Sequence, residues 1–117
     1  MEILLRPSVP EDVPVQRTLW SLSFGDDRAY INNFYKNYYR PDRVLVLEAE
    51  GAVRAMTAWF STVLSIPGKD QIFRAAYLYA VCVHPDWRGK GLAGKLLEGA
   101  GLYFRDRGIH AGTTVAA

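Results

Sequence analysis

Val81-Cys82-Val83-His84-Pro85-Asp86-Trp87-Arg88-Gly89-Lys90-Gly91-Leu92-Ala93-Gly94 is the stretch on which the fold of this 117-residue chain turns. It reads as a buried strand, a short glycine-rich turn and the first turn of an amphipathic helix. Glycines in such a turn let the backbone approach a ligand closely, and a helix start offers unpaired N–H groups. Added to the positive end of the helix dipole, these groups suit a phosphate or pyrophosphate. The ligand class is then a matter of spacing.

Gly89, Gly91 and Gly94 match the Gly-x-Gly-x-x-Gly fingerprint of dinucleotide-binding folds. That fingerprint needs its glycines directly after the strand, and an acidic residue ending the next strand to hold a ribose. Here His84 to Arg88 intervene, and Ala111-Gly112-Thr113-Thr114-Val115 contains neither Asp nor Glu. An ATP-binding P-loop fails as well, because no Gly-Lys-Ser/Thr follows.

Outward from this unit, the chain alternates strand and helix signals. Ile3 to Leu5 is a short apolar run closed by Pro7. Ser8 to Asp12 offers caps for a first helix carrying Val13, Val15, Leu19, Leu22 and Phe24, with Pro10 and Pro14 tolerable only near its start. Gly25 ends that helix. Asp26-Asp27 can cap a second one reaching to about Tyr39, whose Tyr30, Phe34 and Tyr38 recur on one face and read as core. Val44 to Leu47 is a doubly covered strand, and Glu50-Gly51 turns it into a long strand from Val53 to Ile66. Pro67 to Asp70 is the next turn. Ile72 to Val83 is apolar on both faces except at Arg74, as in a central strand. The last helix starts near Gly91 with Leu92, Leu96, Ala100 and Tyr103 on one stripe, Gly108 ends it, and His110 to Ala117 forms a final strand. The expected fold is therefore α/β of the mixed α+β kind, order β-α-α-β-β-β-α-β. Two hairpins give the sheet an antiparallel centre, and a right-handed parallel crossover closes it.

The composition fits one domain over residues 1–117, with half the residues apolar and 22% charged. Fourteen basic against 12 acidic residues leave a net charge of +2, too weak to argue for nucleic acid or an anionic membrane as partner. The single Cys82 excludes an internal disulfide and any multi-cysteine metal site, and His84 and His110 lack metal-spaced partners. No metal is expected. There is no signal-peptide pattern and no apolar run near the roughly 20 residues of a membrane span, so the expected location is the cytoplasm.

Arg88-x-x-Gly91-x-Ala93 fits the Gln/Arg-x-x-Gly-x-Gly/Ala signature of the GNAT superfamily of acyl-CoA N-acyltransferases. The pattern alone arises by chance in roughly one chain of this length in ten. Its context is rarer: it follows a strand ending Val81-x-Val83, with Pro85 two residues on, Trp87 before Arg88, and a helix opening at Leu92. The stretch resembles motif A of that superfamily. Phe24-Gly25-Asp26-Asp27, Tyr30-Ile31 and Tyr77 to Val81 resemble a bacterial group within it.

The resemblance implies an N-acetyltransferase that moves acetyl from acetyl-CoA to a primary amine by direct attack. The N–H groups of Gly89, Lys90, Gly91, Leu92, Ala93 and Gly94 would surround the coenzyme A pyrophosphate, with Arg88, Lys90 or Lys95 near its 3′-phosphate. Val81, Cys82 and Val83 would bond the pantetheine arm like an added strand. An N–H near Cys82 or Val83 would stabilise the oxyanion. Cys82 itself reads as an inert core residue, having no cationic partner. Phe24 and Asp26 are the candidates for contact with a small-molecule or peptide amine, Asp26 equally for helix capping. The catalytic acid and base are not assigned.

The superfamily continues past its fifth strand with another helix and two strands, and that segment usually supplies a tyrosine acid. The expectation is therefore a fragment of a longer acetyltransferase, whose last strand is an exposed edge that a second copy of the chain could cover. The rival readings are a catalytically inactive acyl-CoA-binding or interaction module, and nucleic-acid binding through Lys36, Tyr38, Tyr39, Arg40 and Arg43.

Overall fold

A computed structural model describes residues 2–25, 28–65, 67–68, 72–109 and 111–114. Among these residues five strands form one sheet in the order β1 (Ile3–Pro7), β2 (Val44–Ala49), β3 (Ala52–Ser65), β4 (Ile72–Val83) and β5 (Ala111–Thr114). The first four pair antiparallel, and β5 pairs parallel to β4 after the crossover through α3 (Leu92–Asp106). Helices α1 (Val13–Phe24) and α2 (Arg28–Asn37) lie between β1 and β2. This is the mixed α/β architecture and element order read from the sequence.

Local chemistry fixes most boundaries. Pro10 opens a 3₁₀ turn (Pro10–Asp12) that runs into α1, so both early prolines sit where a missing N–H costs little. The β2–β3 hairpin turns on Glu50 and Gly51, at φ 53° and 85°. A two-residue connection with both residues left-handed matches the twist of the strands it joins. Gly25, at φ 85°, ends α1.

The sheet separates two apolar layers. Val44, Val46, Met56, Ala58, Ala80 and Cys82 face α1 and α2, where Leu19, Trp20, Ile31 and Phe34 are buried. Leu45 and Leu47 point to the other side, toward α3 and its buried stripe of Leu92, Leu96, Ala100 and Phe104. Each buried Leu or Phe of that stripe contributes about 1.5–3 kcal/mol. Phe104 fills the position at which the sequence reading put Tyr103, which is half-buried beside it. Gly99 lets α3 approach β1 closely: a Cβ there would lie 2.9 Å from Leu5 Cδ2.

One expectation needs correction, and two details go beyond the sequence. Of the supposed α2 core stripe only Phe34 is buried; Tyr30 and Tyr38 are 47% and 57% exposed, and Ile31 takes the inner position. Leu22 and Phe24 end α1 on its exposed side, the buried residues being Gln16, Leu19 and Trp20. β4 lies inside the sheet as expected, but a bulge interrupts it. Ala58 opposes Tyr79 but Met56 opposes Cys82, so Ala80 and Val81 together face Thr57. Ala80 has φ 54°, the left-handed value of a bulge residue. The extra residue reverses the alternation: Ala76 and Leu78 point toward α3 before the bulge, Val81 and Val83 after it.

Candidate functional site

The bulged end of β4 leads through a compact turn into α3. His84 N–H donates to Arg54 O of β3 (2.8 Å), anchoring the start of the turn to the sheet. Pro85–Trp87 then form a 3₁₀ turn, with Trp87 N–H on His84 O (2.9 Å) and Asp86 N–H on the His84 Nδ1 (3.1 Å). These are the residues that separate the strand from the first glycine. Trp87 packs beneath them against the Leu92 and Leu96 cluster. The Arg54 guanidinium lies over its ring at 4.4 Å and Lys90 Nζ at 5.6 Å.

Beyond Arg88 the backbone turns through Gly89 (φ 79°) and Gly91 (φ 77°), the latter the N-cap of α3. L-residues avoid these angles, which is why glycine stands at both positions. A Cβ at Gly89, Gly91 or Gly94 would project into open space. The first intrahelical bond of α3 runs from Lys95 N–H to Gly91 O (3.1 Å). Helix geometry therefore leaves the N–H groups of Leu92, Ala93 and Gly94 without an acceptor. Among the described residues no backbone acceptor meets those of Gly89, Lys90 or Gly91. Arg88, Lys90 and Lys95 are exposed around this turn. Its small residues, free donors and cations fit an anionic diphosphate.

On the strand side, the described pairing of β5 with β4 runs from Ala75 to Leu78. Because His84 bonds inward to β3, alternation aims the N–H and C=O of Val83 at the opposite edge, where the described residues provide no strand. A polar backbone edge thus runs from the bulge toward the glycine turn. Of the three strand residues singled out in the sequence, Val81 and Val83 turn their side chains toward α3, whereas Cys82 is buried on the α1 face. Its Sγ donates to Ala80 O (3.3 Å), and burial pushes the thiol up to about 12. Such a thiol is neutral at physiological pH and a poor nucleophile.

Of the two acceptor candidates, one lies among the described residues. Phe24 is exposed at the end of α1, and Asp26 lies outside the described residues. Tyr79, immediately before the bulge, contacts the rings of Trp20, Tyr30, Phe34 and Phe60. Two features escaped sequence reading. Arg54 reaches Trp87 only through cross-strand pairing, for which its neighbours in sequence give no signal. The bulge rests on an alanine, a residue that carries no turn signature. In the basic-aromatic cluster, Arg43 stacks on Trp59 at 4.4 Å and the Tyr39 hydroxyl pairs with Ser8 (3.0 Å), so two of its members are already engaged.

An acetyltransferase (GNAT) domain model matches residues 5–117. The chain belongs to the GNAT acetyltransferase family. The GNAT fold is also that of solved structures. A transcriptional regulator from Bacillus halodurans C-125 superposes with a TM-score of 0.78 at 16% identity, over 99% of this chain and 83% of that one. A GNAT family acetyltransferase from Staphylococcus aureus gives 0.76 at 15%, over 100% and 88%. The aminoglycoside acetyltransferase AAC(6')-Iy, solved with the bisubstrate analogue CoA-S-monomethyl-acetylneamine, gives 0.72 at 15%, over 100% and 81%. No curated protein matches the chain by sequence. Among the described residues, no helix of this GNAT domain is long and apolar enough to cross a membrane.

Proposed function

We propose that this GNAT domain binds acetyl-CoA at the turn from Arg88 to Gly94 and transfers the acetyl group to a primary amine. The observation that carries the reading is the juxtaposition of two backbone devices. A helix N-terminus opened by left-handed Gly89 and Gly91 adjoins the bulged end of β4, whose outer edge no described strand pairs.

Each residue then has a task. The N–H groups of Gly89 to Gly94 donate to the pyrophosphate oxygens, and Arg88, Lys90 and Lys95 supply screened positive charge for the 3′-phosphate. The Val83 backbone holds the pantetheine arm as an added strand. Together they place the thioester carbonyl beside the bulge, where the outward-facing N–H of Val83 stabilises charge developing on its oxygen. Cys82 is a core residue in this scheme. The amine and its proton acceptor approach from the α1–α2 side, to which Tyr79 and the end of α1 belong.

Calorimetric titration of the folded chain with acetyl-CoA tests the binding half. Saturable heat is expected, and its absence from a protein with native circular dichroism sinks the proposal. Release of free thiol from acetyl-CoA in the presence of amines tests the transfer half. Saturable binding without release under any amine would leave the domain as a coenzyme-binding module.

A further inference from the structure

The face of the sheet beneath α2 carries a groove of about 350 Å³, lined by Tyr30, Asn33, Phe34, Tyr38, Phe60 and Tyr79. Five of these six described side chains are aromatic and none of the six is charged. Tyr30, Tyr38 and Phe60 remain more than a third exposed, an unusual concentration of open ring surface for a small domain. The Tyr79 ring lies at the centre, 5.6 Å from the Phe60 centroid, 6.0 Å from Phe34 and 6.3 Å from Tyr30. Tyr79 is also the residue before left-handed Ala80, and its carbonyl accepts from buried Thr57 Oγ1 (3.3 Å). One wall of the groove is thus continuous with the bulge that opens the strand edge.

The lining selects the chemistry of its occupant. A polycation leaving water needs carboxylates to replace its hydration, and the described residues of this lining include none. The one lining carboxamide is engaged, since Asn33 Oδ1 accepts from Asn37 Nδ2 (2.7 Å). Tilted rings with centroids 5.6–6.3 Å apart accept a further ring in the same packing, and a ring face tolerates a single ammonium.

We propose that the groove receives the aryl body of an arylalkyl primary amine, the acceptor in the acetyl transfer described above, on which this assignment rests. The amine extends past Tyr79 toward the bulge. Its nitrogen forms the new C–N bond to the acyl carbon, the C–S bond breaks, and the proton lost by nitrogen leaves with coenzyme A as its thiol.

The test is saturation-transfer NMR and calorimetry on the full chain with 2-phenylethylamine and spermidine, with acetyl-CoA titrated in parallel. Saturable binding of 2-phenylethylamine is expected, with transfer to its ring protons and little binding of spermidine. Removal of one ring contact in Phe60→Ala or Tyr38→Ala should weaken 2-phenylethylamine about fivefold or more. Acetyl-CoA affinity should be unchanged in both. Phe60→Leu, which keeps bulk but not the ring, covers the case in which the alanine variant fails to fold. Spermidine binding as tightly as the arylamine, or arylamine affinity indifferent to these substitutions, overturns the assignment even where acetyl-CoA binds. Loss of acetyl-CoA binding with arylamine binding intact instead overturns the transfer reading and leaves the groove its ligand class.

Discussion

Gly91 is the residue at which backbone freedom and ligand access meet. At φ 77° a side chain costs about 1–2 kcal/mol in strain, and its Cβ would enter open space beside the free N–H groups. Gly91→Leu is therefore expected to lower stability to urea by about that amount and to abolish acetyl-CoA binding. Unchanged affinity would place the coenzyme elsewhere. Cys82 makes the opposite kind of prediction. With its thiol raised to about 12 from an ordinary value near 9, the folded chain holds the proton more tightly than the unfolded chain. Its contribution is complete below the unfolded value and is lost as pH rises from 9 toward 12. Denaturation midpoints should fall over that range more steeply for the native chain than for Cys82→Ala. Ellman's reagent should label the thiol at pH 8 only after unfolding. Rapid labelling of the native chain would argue for an exposed, activated cysteine.

At the scale of elements, the junction of β1, the 3₁₀ turn before α1, and β2 rests on Arg6. Its guanidinium donates to Asp12 through two nitrogens (2.7 and 3.1 Å) and to Glu48 Oε2 through Nε (2.6 Å), while Asp12 also accepts from Val9 N–H (2.8 Å). The Arg6 bond is the main cause holding the Asp12 carboxyl below its ordinary value. A depressed carboxyl stabilises the fold above its unfolded pKa and loses that effect as pH falls through the folded one. Asp12→Asn should cost about 2 kcal/mol near neutral pH, a difference that closes below about pH 4 in urea titrations. A gap that persists in acid would assign the loss to packing instead. The bulge in β4 makes a second prediction. Ala80→Val puts a β-branched residue at φ 54° in a fully buried site, and should destabilise by about 2–4 kcal/mol. These two places also mark what sequence could and could not reveal. The hairpin at Glu50-Gly51 and the start of α3 at Gly91 were legible because turn and cap chemistry is local. The bulge was hidden because a strand apolar on both faces has no alternation for an extra residue to break. Tyr30 and Tyr38 were misplaced because helical spacing names a face without saying whether a partner covers it.

The whole molecule is one sheet with an apolar layer on either side, and the two layers serve different halves of the proposed chemistry. The α3 layer carries the glycine turn on a helix fixed by Leu92, Leu96, Ala100 and Phe104, so the free N–H groups need little ordering when an anion arrives. The α1–α2 layer ends in open rings and the exposed Phe24, a surface that still has contacts to make. Coenzyme binding should therefore stabilise the native state without reshaping it. At about 100 times its dissociation constant, acetyl-CoA is expected to add about 2.7 kcal/mol to unfolding in denaturant. Hydrogen exchange locates the effect. Amides of residues 89–94 and Val83 should slow in the complex by more than the global stabilisation accounts for, because the ligand accepts from them directly. Those of α1 should slow only where exchange requires complete unfolding. A ligand that protected α1 and left the glycine turn exchanging freely would sit on the other side of the sheet, and the division of labour between the two layers would be reversed.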